Sequence, residues 1–428
     1  MIARISPSQI TGSLNAPSSK SSMQRACALA LISGGTTVIA NAGKSNDEQA
    51  ALDIIRKLGA SIDRVRSEIV VNSSSDIFKS SDKKKHAIIS CGESGLSLRM
   101  FVPIAALFNY DITFAGEGSI LTRPINFFDS VLPKVKVNVQ SNDGKLPITV
   151  RGPLKPSNIV VDGSLSSQFL TGLLIAYAKA CTTPVSIKVN DLASKPYISL
   201  TLSMLQHFGF EVENDNFEKF TILPREATPG HSIKYNVEGD WSNTAFLLVA
   251  GAIAGEITVK GADINSTQGD KKIINALESC GAQIKTGKKQ ITVKPGELSA
   301  FEFDATHCPD LFPPLVALAA YCKGNTIIKG VTRLLHKESN RGLTLKKEFA
   351  KMNVVIELND DTMIVKGGKQ VKGARVTSHN DHRIAMACAV AALRAKGQTE
   401  IIKAEAVNKS YPQFYDDMKV LGASLQVS

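Results

Sequence analysis

The chain has 428 residues, of which 43% are hydrophobic, 21% charged and 6% aromatic, enough for two sizeable cores. Met1 is followed within a few residues by Arg4, Ser6 and Pro7, and no apolar run reaches the ~18 residues of a membrane span, so neither a signal peptide nor a transmembrane helix is expected and the protein should be cytoplasmic. The formal charge of +11 asks for anionic partners; most basic residues stand singly, and the densest run, Lys83-Lys84-Lys85, has no interleaved aromatics, which fits small polyanions in a cleft better than nucleic acid or a membrane.

In chain order, the first informative segment is Ala16-Pro17-Ser18-Ser19-Lys20-Ser21-Ser22-Met23-Gln24-Arg25, a Pro/Ser-rich turn that caps a helix and sets Lys20 and Arg25 near its amino end. Backbone donors and the helix dipole attract anions there, although a plain serine cap beside two exposed cations explains the same residues. Residues 51–62 read as an apolar-periodic helix running through Gly59 into a short strand. A strand at 87–90 leads to Gly92-Glu93-Ser94-Gly95, a turn into an apolar helix in which Gly95 lets a ligand approach the backbone. Arg123 stands stiffly before Pro124. Gly163-Ser164-Leu165-Ser166-Ser167-Gln168 gathers two hydroxyls and an amide at the mouth of a helix, residues 170–180, that is apolar on nearly every side and so is expected inside its domain. Ser194-Lys195-Pro196-Tyr197 adds a hydroxyl, a cation and a phenol.

The second half alternates strands such as 255–259 with apolar helices at 246–254, 315–321 and 384–393. It also carries the acid and base groups: His307-Cys308-Pro309-Asp310, His336-Lys337-Glu338-Ser339-Asn340-Arg341, Ser378-His379-Asn380-Asp381-His382-Arg383 and Asn408-Lys409-Ser410-Tyr411. Each segment alone is also consistent with surface charge. Lys337 and Arg341 are four apart and are expected to share a helical face, repelling by roughly 0.2 to 0.5 kcal/mol unless an anion joins them.

The helix–turn–strand phrase around Gly59 returns at Gly209, Gly281 and Gly422, and in degenerate form with Asn353 at the turn and with Val135 after Pro133. The six copies fall about 70 to 75 residues apart, too long for a solenoid, so each is a small fold of its own. Six units divide into three and three, giving two similar α/β domains with a cleft between them. The seven cysteines form no C-x-x-C pair and are expected reduced and mostly buried. His379 and His382 lack partners for a metal site, Gly43-Lys44-Ser45 has Val38 where a Walker A loop needs glycine, and Gly116-Glu117-Gly118 has Leu121 where a dinucleotide fingerprint needs its third.

Read together from residue 16 to residue 422, these motifs resemble the enolpyruvyl transferase family, and within it the branch that acts on shikimate 3-phosphate. The resemblance implies two domains of three βαβαββ repeats each, of the inverted α/β barrel type, with residues 1–18 and 239–428 in one and 19–238 in the other. It implies transfer of the enolpyruvyl group of phosphoenolpyruvate to the 5-hydroxyl of shikimate 3-phosphate, releasing phosphate on the route to chorismate, with no metal or organic cofactor, in a monomer. Lys20, Ser21, Arg25, Ser166, Ser167, Gln168, Ser194, Tyr197, Asp310 and Lys337 would hold shikimate 3-phosphate. Lys20, Gly95, Arg123, Gln168, Arg341, Arg383 and Lys409 would hold phosphoenolpyruvate, and Asp310, Glu338 and Lys20 would move protons. Two multiply charged anions brought together in a desolvated cleft need such a crowd of cations.

The sequence departs from the family pattern at Glu93, often Asn, at Leu96-Ser97-Leu98-Arg99-Met100, at Asn340, usually Asp, and at Arg333, often Asn. A carboxylate at 93 would oppose phosphoenolpyruvate and its competitor glyphosate unless it pairs with a cation or turns away. The sister branch acting on UDP-N-acetylglucosamine usually has a cysteine in the loop matching residues 116–122, and none stands here. A non-catalytic anion binder on the same scaffold is the other alternative, which the joint presence of Lys20, Asp310, Glu338 and Lys409 opposes.

Overall fold

The computed structural model describes residues 1–66, 68–74, 76–79, 86–225 and 232–428; the basic run 83–85 lies outside the described residues. Where a helix must stop and a strand begin at once, the backbone turns left-handed at Gly59 (φ 110°), Gly209 (77°), Gly281 (86°) and Gly422 (98°), and at Asn353 (65°), whose short polar side chain tolerates that region. In the remaining copy the left-handed residue is Lys136 (φ 62°), not Val135. Pro133 starts a fresh 3-10 turn, Leu132–Val135, behind the helix Phe127–Val131, and that turn defers the reversal by one residue.

The described residues form six four-stranded sheets of one pattern. Ile159–Asp162 pairs in parallel with Val185–Asn190, which pairs antiparallel with Lys219–Ile222, itself antiparallel to Val212–Asp215. Helix Ser167–Ala180 makes the parallel crossover and helix Lys195–His207 the second connection, which is the expected βαβαββ repeat.

The chain divides into two compact units, residues 1–17 with 238–428 and residues 18–237. Both contain a sheet completed by a strand from far along the chain. In the second unit Ser232–Asn236 pairs in parallel with Gly35–Ala40. In the first, Gly12–Asn15 pairs with Ile257–Lys260, and Ile2–Ile5 lies between Thr399–Ile402 and Leu425–Val427.

Three helices fill the core of each unit and touch one another: Lys20–Ser33, Gly95–Ala105 and Ser167–Ala180 in one, Trp241–Ala254, Phe312–Ala319 and His382–Ala392 in the other. Nearly all their residues are buried, as the all-round apolar pattern predicts. Close packing sets local sequence: a side chain at Gly172 would stand 2.7 Å from the carbonyl oxygens of Arg99 and Met100. Outer helices such as Asn46–Lys57 bury one face only, here Ala51, Leu52, Ile54 and Ile55. The seven cysteines are buried and unbridged, and among the described residues no helix is long and apolar enough to cross a membrane.

Candidate active site

In the unit of residues 18–237, the inner helices begin under serine caps at Ser19, Ser94 and Ser166, and expected site residues follow each cap directly: Lys20 and Ser21, Gly95, Ser167 and Gln168. Lys20 Nζ donates to Asp47 Oδ2 at 2.7 Å, with the two side chains 14% and 10% exposed. Asp47 lies in the first turn of Asn46–Lys57, a helix fixed by a capping box between Ser45 and Glu48.

A side chain at Gly95 would stand 2.6 Å from Arg123 Nη1 and 3.1 Å from Arg99 Nη1, so it would have to push those guanidiniums aside. Two buried guanidiniums thus lie against one helix start. Arg99 Nη1 donates to Gln168 Oε1 at 2.9 Å and its guanidinium lies over the Phe169 ring. Ser94 and Ser97 both donate to Gln24 Oε1, at 3.2 and 3.0 Å, tying the Gly95 helix to the Lys20 helix. Arg25 is buried and joins three helices: it donates to Thr201 Oγ1 at 2.9 Å, the Ser21 carbonyl at 2.8 Å, the Tyr197 carbonyl at 3.3 Å and Thr171 Oγ1 at 3.4 Å. Ser194 takes the N-cap position of Lys195–His207 with φ 56°.

Glu93 turns onto the neighbouring loop. Its Oε2 accepts from the Ser119 backbone N–H at 3.2 Å, and a side chain at Gly118 (φ 59°) would collide with that carboxylate. The 3-10 turn Gly118–Thr122 that it holds leads directly into Arg123.

In the other unit, Asp310 stands in the turn Pro309–Leu311 before helix Phe312–Ala319 and draws three cations. Lys337 Nζ and Arg341 Nη1 donate to its Oδ1 at 3.1 and 2.7 Å, and Arg383 Nη2 to its Oδ2 at 3.1 Å. Arg341 also bonds Glu338 through Nη2 and Asp381 through Nε at 2.8 Å. Asp381 is fully buried, caps helix His382–Ala392 by accepting from Arg383 N at 3.0 Å, and takes Ser339 Oγ at 3.0 Å. Lys409 Nζ donates to the Asn380 carbonyl.

Burial works against the Asp310 charge, but Arg383, Lys337 and Arg341 outweigh it and hold the carboxyl well below the usual carboxylate range. Burial pushes the Lys337 ammonium below its ordinary value, against the pull of Asp310. Burial opposes the Arg341 charge too, yet Asp381, Glu338 and Asp310 hold it above its usual value. The cluster therefore offers fixed positive charge, an ionised proton acceptor and an ammonium eased toward proton release. Among the described residues no group of three His, Cys, Asp or Glu could hold a metal ion.

One sequence expectation is corrected here. Lys337 and Arg341 do not share a helical face, because the helix Arg341–Lys351 starts at Arg341 under the Asn340 cap; the Asp310 carboxylate joins them instead. Asp47, Gln24, Arg99 and Asp381 were not singled out from sequence. Asp381 had a readable signal, an Asp directly before an apolar helix; the contacts of the other three are long-range and leave none.

A family model described as EPSP synthase (3-phosphoshikimate 1-carboxyvinyltransferase) matches residues 5–418. The 3-phosphoshikimate 1-carboxyvinyltransferase of Clostridium novyi (strain NT) is 36% identical over 423 residues, 98% of this chain and 97% of that one. Among solved structures, EPSP synthase from Acinetobacter baumannii aligns with a TM-score of 0.81 at 24% identity, covering 100% of this chain and 99% of that one. The enolpyruvyl transferase NikO from Streptomyces tendae aligns with a TM-score of 0.78 at 17% identity, covering 99% and 98%. At such identities the two structures speak for the shared fold.

Proposed function

Because this chain belongs to the EPSP synthase (3-phosphoshikimate 1-carboxyvinyltransferase) family, we propose that it transfers the enolpyruvyl group of phosphoenolpyruvate to the 5-hydroxyl of shikimate 3-phosphate, releasing phosphate. This is the shikimate-pathway step toward chorismate and the aromatic amino acids. The reading takes the two compact units as the enzyme's domains. It takes the enzyme to be a cytoplasmic monomer that needs neither metal nor organic cofactor and acts on small molecules rather than nucleic acid.

Ser21, Arg25, Ser166, Ser167, Ser194, Tyr197 and Lys337 are assigned to shikimate 3-phosphate, with Lys20, Gln168 and Asp310 reaching it as well. Lys20, Gly95, Arg123, Gln168, Arg341, Arg383 and Lys409 are assigned to phosphoenolpyruvate. In the addition step the 5-oxygen bonds to C2 while its proton passes to Asp310, and Glu338, with Lys20, delivers a proton to C3. In the elimination step C3 gives up a proton and the C2–O bond to phosphate breaks. The observation that carries the site reading is the convergence of Lys337, Arg341 and Arg383 on one carboxylate. Bound anions compete for the same three cations; as these turn to phosphate and carboxylate groups their hold on Asp310 weakens, and its basicity rises when a hydroxyl arrives to be deprotonated.

The test is phosphate release with phosphoenolpyruvate plus either shikimate 3-phosphate or UDP-N-acetylglucosamine, with Asp310→Ala beside the parent. Release with shikimate 3-phosphate alone, lost in the variant, is the expected result. Release with the nucleotide sugar alone overturns the substrate, and release with neither overturns the activity.

A further inference from the structure

Three positions, Asn380, Asp381 and Arg383, anchor or carry much of the charge assigned above to phosphoenolpyruvate. Asn380 offers its carbonyl to Lys409, Asp381 fixes Arg341, and Arg383 itself reaches Asp310. The backbone leading into this stretch is costly, because His379 (φ 53°) and Asn380 (φ 58°) are consecutive left-handed residues and neither is glycine. Something must hold it there.

The holder is the one carboxylate on the helix Arg341–Lys351. Glu348 lies seven residues, two turns, beyond Arg341 and so on the same face. It is fully buried, and its oxygens accept from the Thr377 backbone N–H at 2.9 Å, His379 Nε2 at 2.8 Å and Lys351 Nζ at 2.6 Å. Because a carboxylate only accepts, the His379 ring carries its proton on Nε2. One helix thus clasps one loop at two points: Glu348 takes residues 377 and 379, and Arg341 takes residue 381. Ser378 closes the gap, donating its hydroxyl to the Lys403 carbonyl at 2.8 Å and accepting from Asn380 N at 3.1 Å.

We propose that Glu348 and His379 are positioning residues, whose hydrogen bond holds the left-handed stretch 379–380 and thereby aims Arg341, Arg383 and Lys409 at phosphoenolpyruvate. The proposal rests on the assignment of those three cations made above. His379 is 30% exposed and its ring bonds Glu348 rather than Asp310 or the guanidiniums, so its removal acts through the loop.

Steady-state kinetics of His379→Ala, His379→Gly and His379→Gln, with Arg383→Ala beside them, test it. Glycine relieves the left-handed strain but deletes the tether, whereas glutamine places an amide donor near the position of Nε2. The expected result is a KM for phosphoenolpyruvate raised roughly 10-fold in the alanine and glycine variants, the scale of a displaced binding group. The KM for shikimate 3-phosphate should stay near the parent's, any fall in the melting midpoint should reflect only the bond lost to buried Glu348, and glutamine should restore the KM for phosphoenolpyruvate to within about 2-fold. If Arg383→Ala raises that KM and His379→Ala does not, the positioning role is wrong. It is also wrong if His379→Ala lowers Tm and kcat with KM unchanged and no rescue by glutamine, which marks a purely structural contact. If Arg383→Ala leaves the KM unaltered, the site assignment falls and takes this inference with it.

Discussion

Arg341 and Asp381 meet as a fork, Nε on Oδ2 at 2.8 Å and Nη2 on Oδ1 at 3.2 Å, in a place where neither side chain is more than 1% exposed. Such a pair gives direction more than net stability, since desolvation offsets much of the attraction. Its use is to orient Arg341 so that Nη1 remains for Asp310.

Deleting Asp381 takes from buried Arg341 its most deeply buried carboxylate partner, leaving only Glu338 and Asp310 to balance it. Asp381→Ala is expected to destabilise the protein by about 3 to 5 kcal/mol, including the lost cap on helix His382–Ala392. Urea denaturation at neutral pH reads this directly, and a loss under about 1 kcal/mol would show that the pair is solvated in solution.

Asp310 and Glu348 together predict the shape of acid unfolding. For Asp310, burial favours the neutral form but three cations prevail; for Glu348, burial is likewise outweighed by bonds from Lys351, His379 and the Thr377 amide. Both carboxyls therefore titrate lower in the folded chain than in the unfolded one. Their contribution is complete above the ordinary carboxylate value of ~4 and disappears as pH falls through the lower folded values. Stability measured at a series of pH values from 7 to 2.5 should drop below that point, and less steeply in Asp310→Asn. Parallel curves would mean that Asp310 titrates normally.

Glu93 carries a negative charge beside Gly95, but its carboxylate is engaged by the Ser119 amide. Replacing it with Asn is expected to tighten glyphosate inhibition only a few-fold, about 2- to 5-fold, the scale of a partly screened charge. A parent inhibition constant equal to that of Glu93→Asn would mean that the charge does not reach the ligand.

The repeat was legible because glycine and asparagine mark left-handed turns chemically, so Gly59, Gly209, Gly281, Asn353 and Gly422 could be read in place. Lys136 carries no such mark, and Pro133 moved its turn. The inner helices were legible from all-round apolarity. The joining of Ser232–Asn236 to Gly35–Ala40, or of Ile2–Ile5 to strands near the other end of the chain, is not encoded in any local window; only the family resemblance implies the discontinuous domain that the second of these pairings belongs to. The same divide runs through the site. Lys20, Gly95, Gln168 and Asp310 announce themselves by residue type and motif, while what each touches, Asp47 for Lys20 or Arg99 for Gln168, depends on segments far apart in sequence.

The pairing of Ile2–Ile5 with Thr399–Ile402 and Leu425–Val427 imposes an order on biosynthesis. Those residues leave the ribosome nearly 400 residues before their sheet partners do. Residues 18–237 form one unbroken stretch and can assemble while the remainder is being translated. Until those partners are made, Ile2–Ile5 must wait unpaired, with backbone donors and acceptors open to a neighbouring nascent chain.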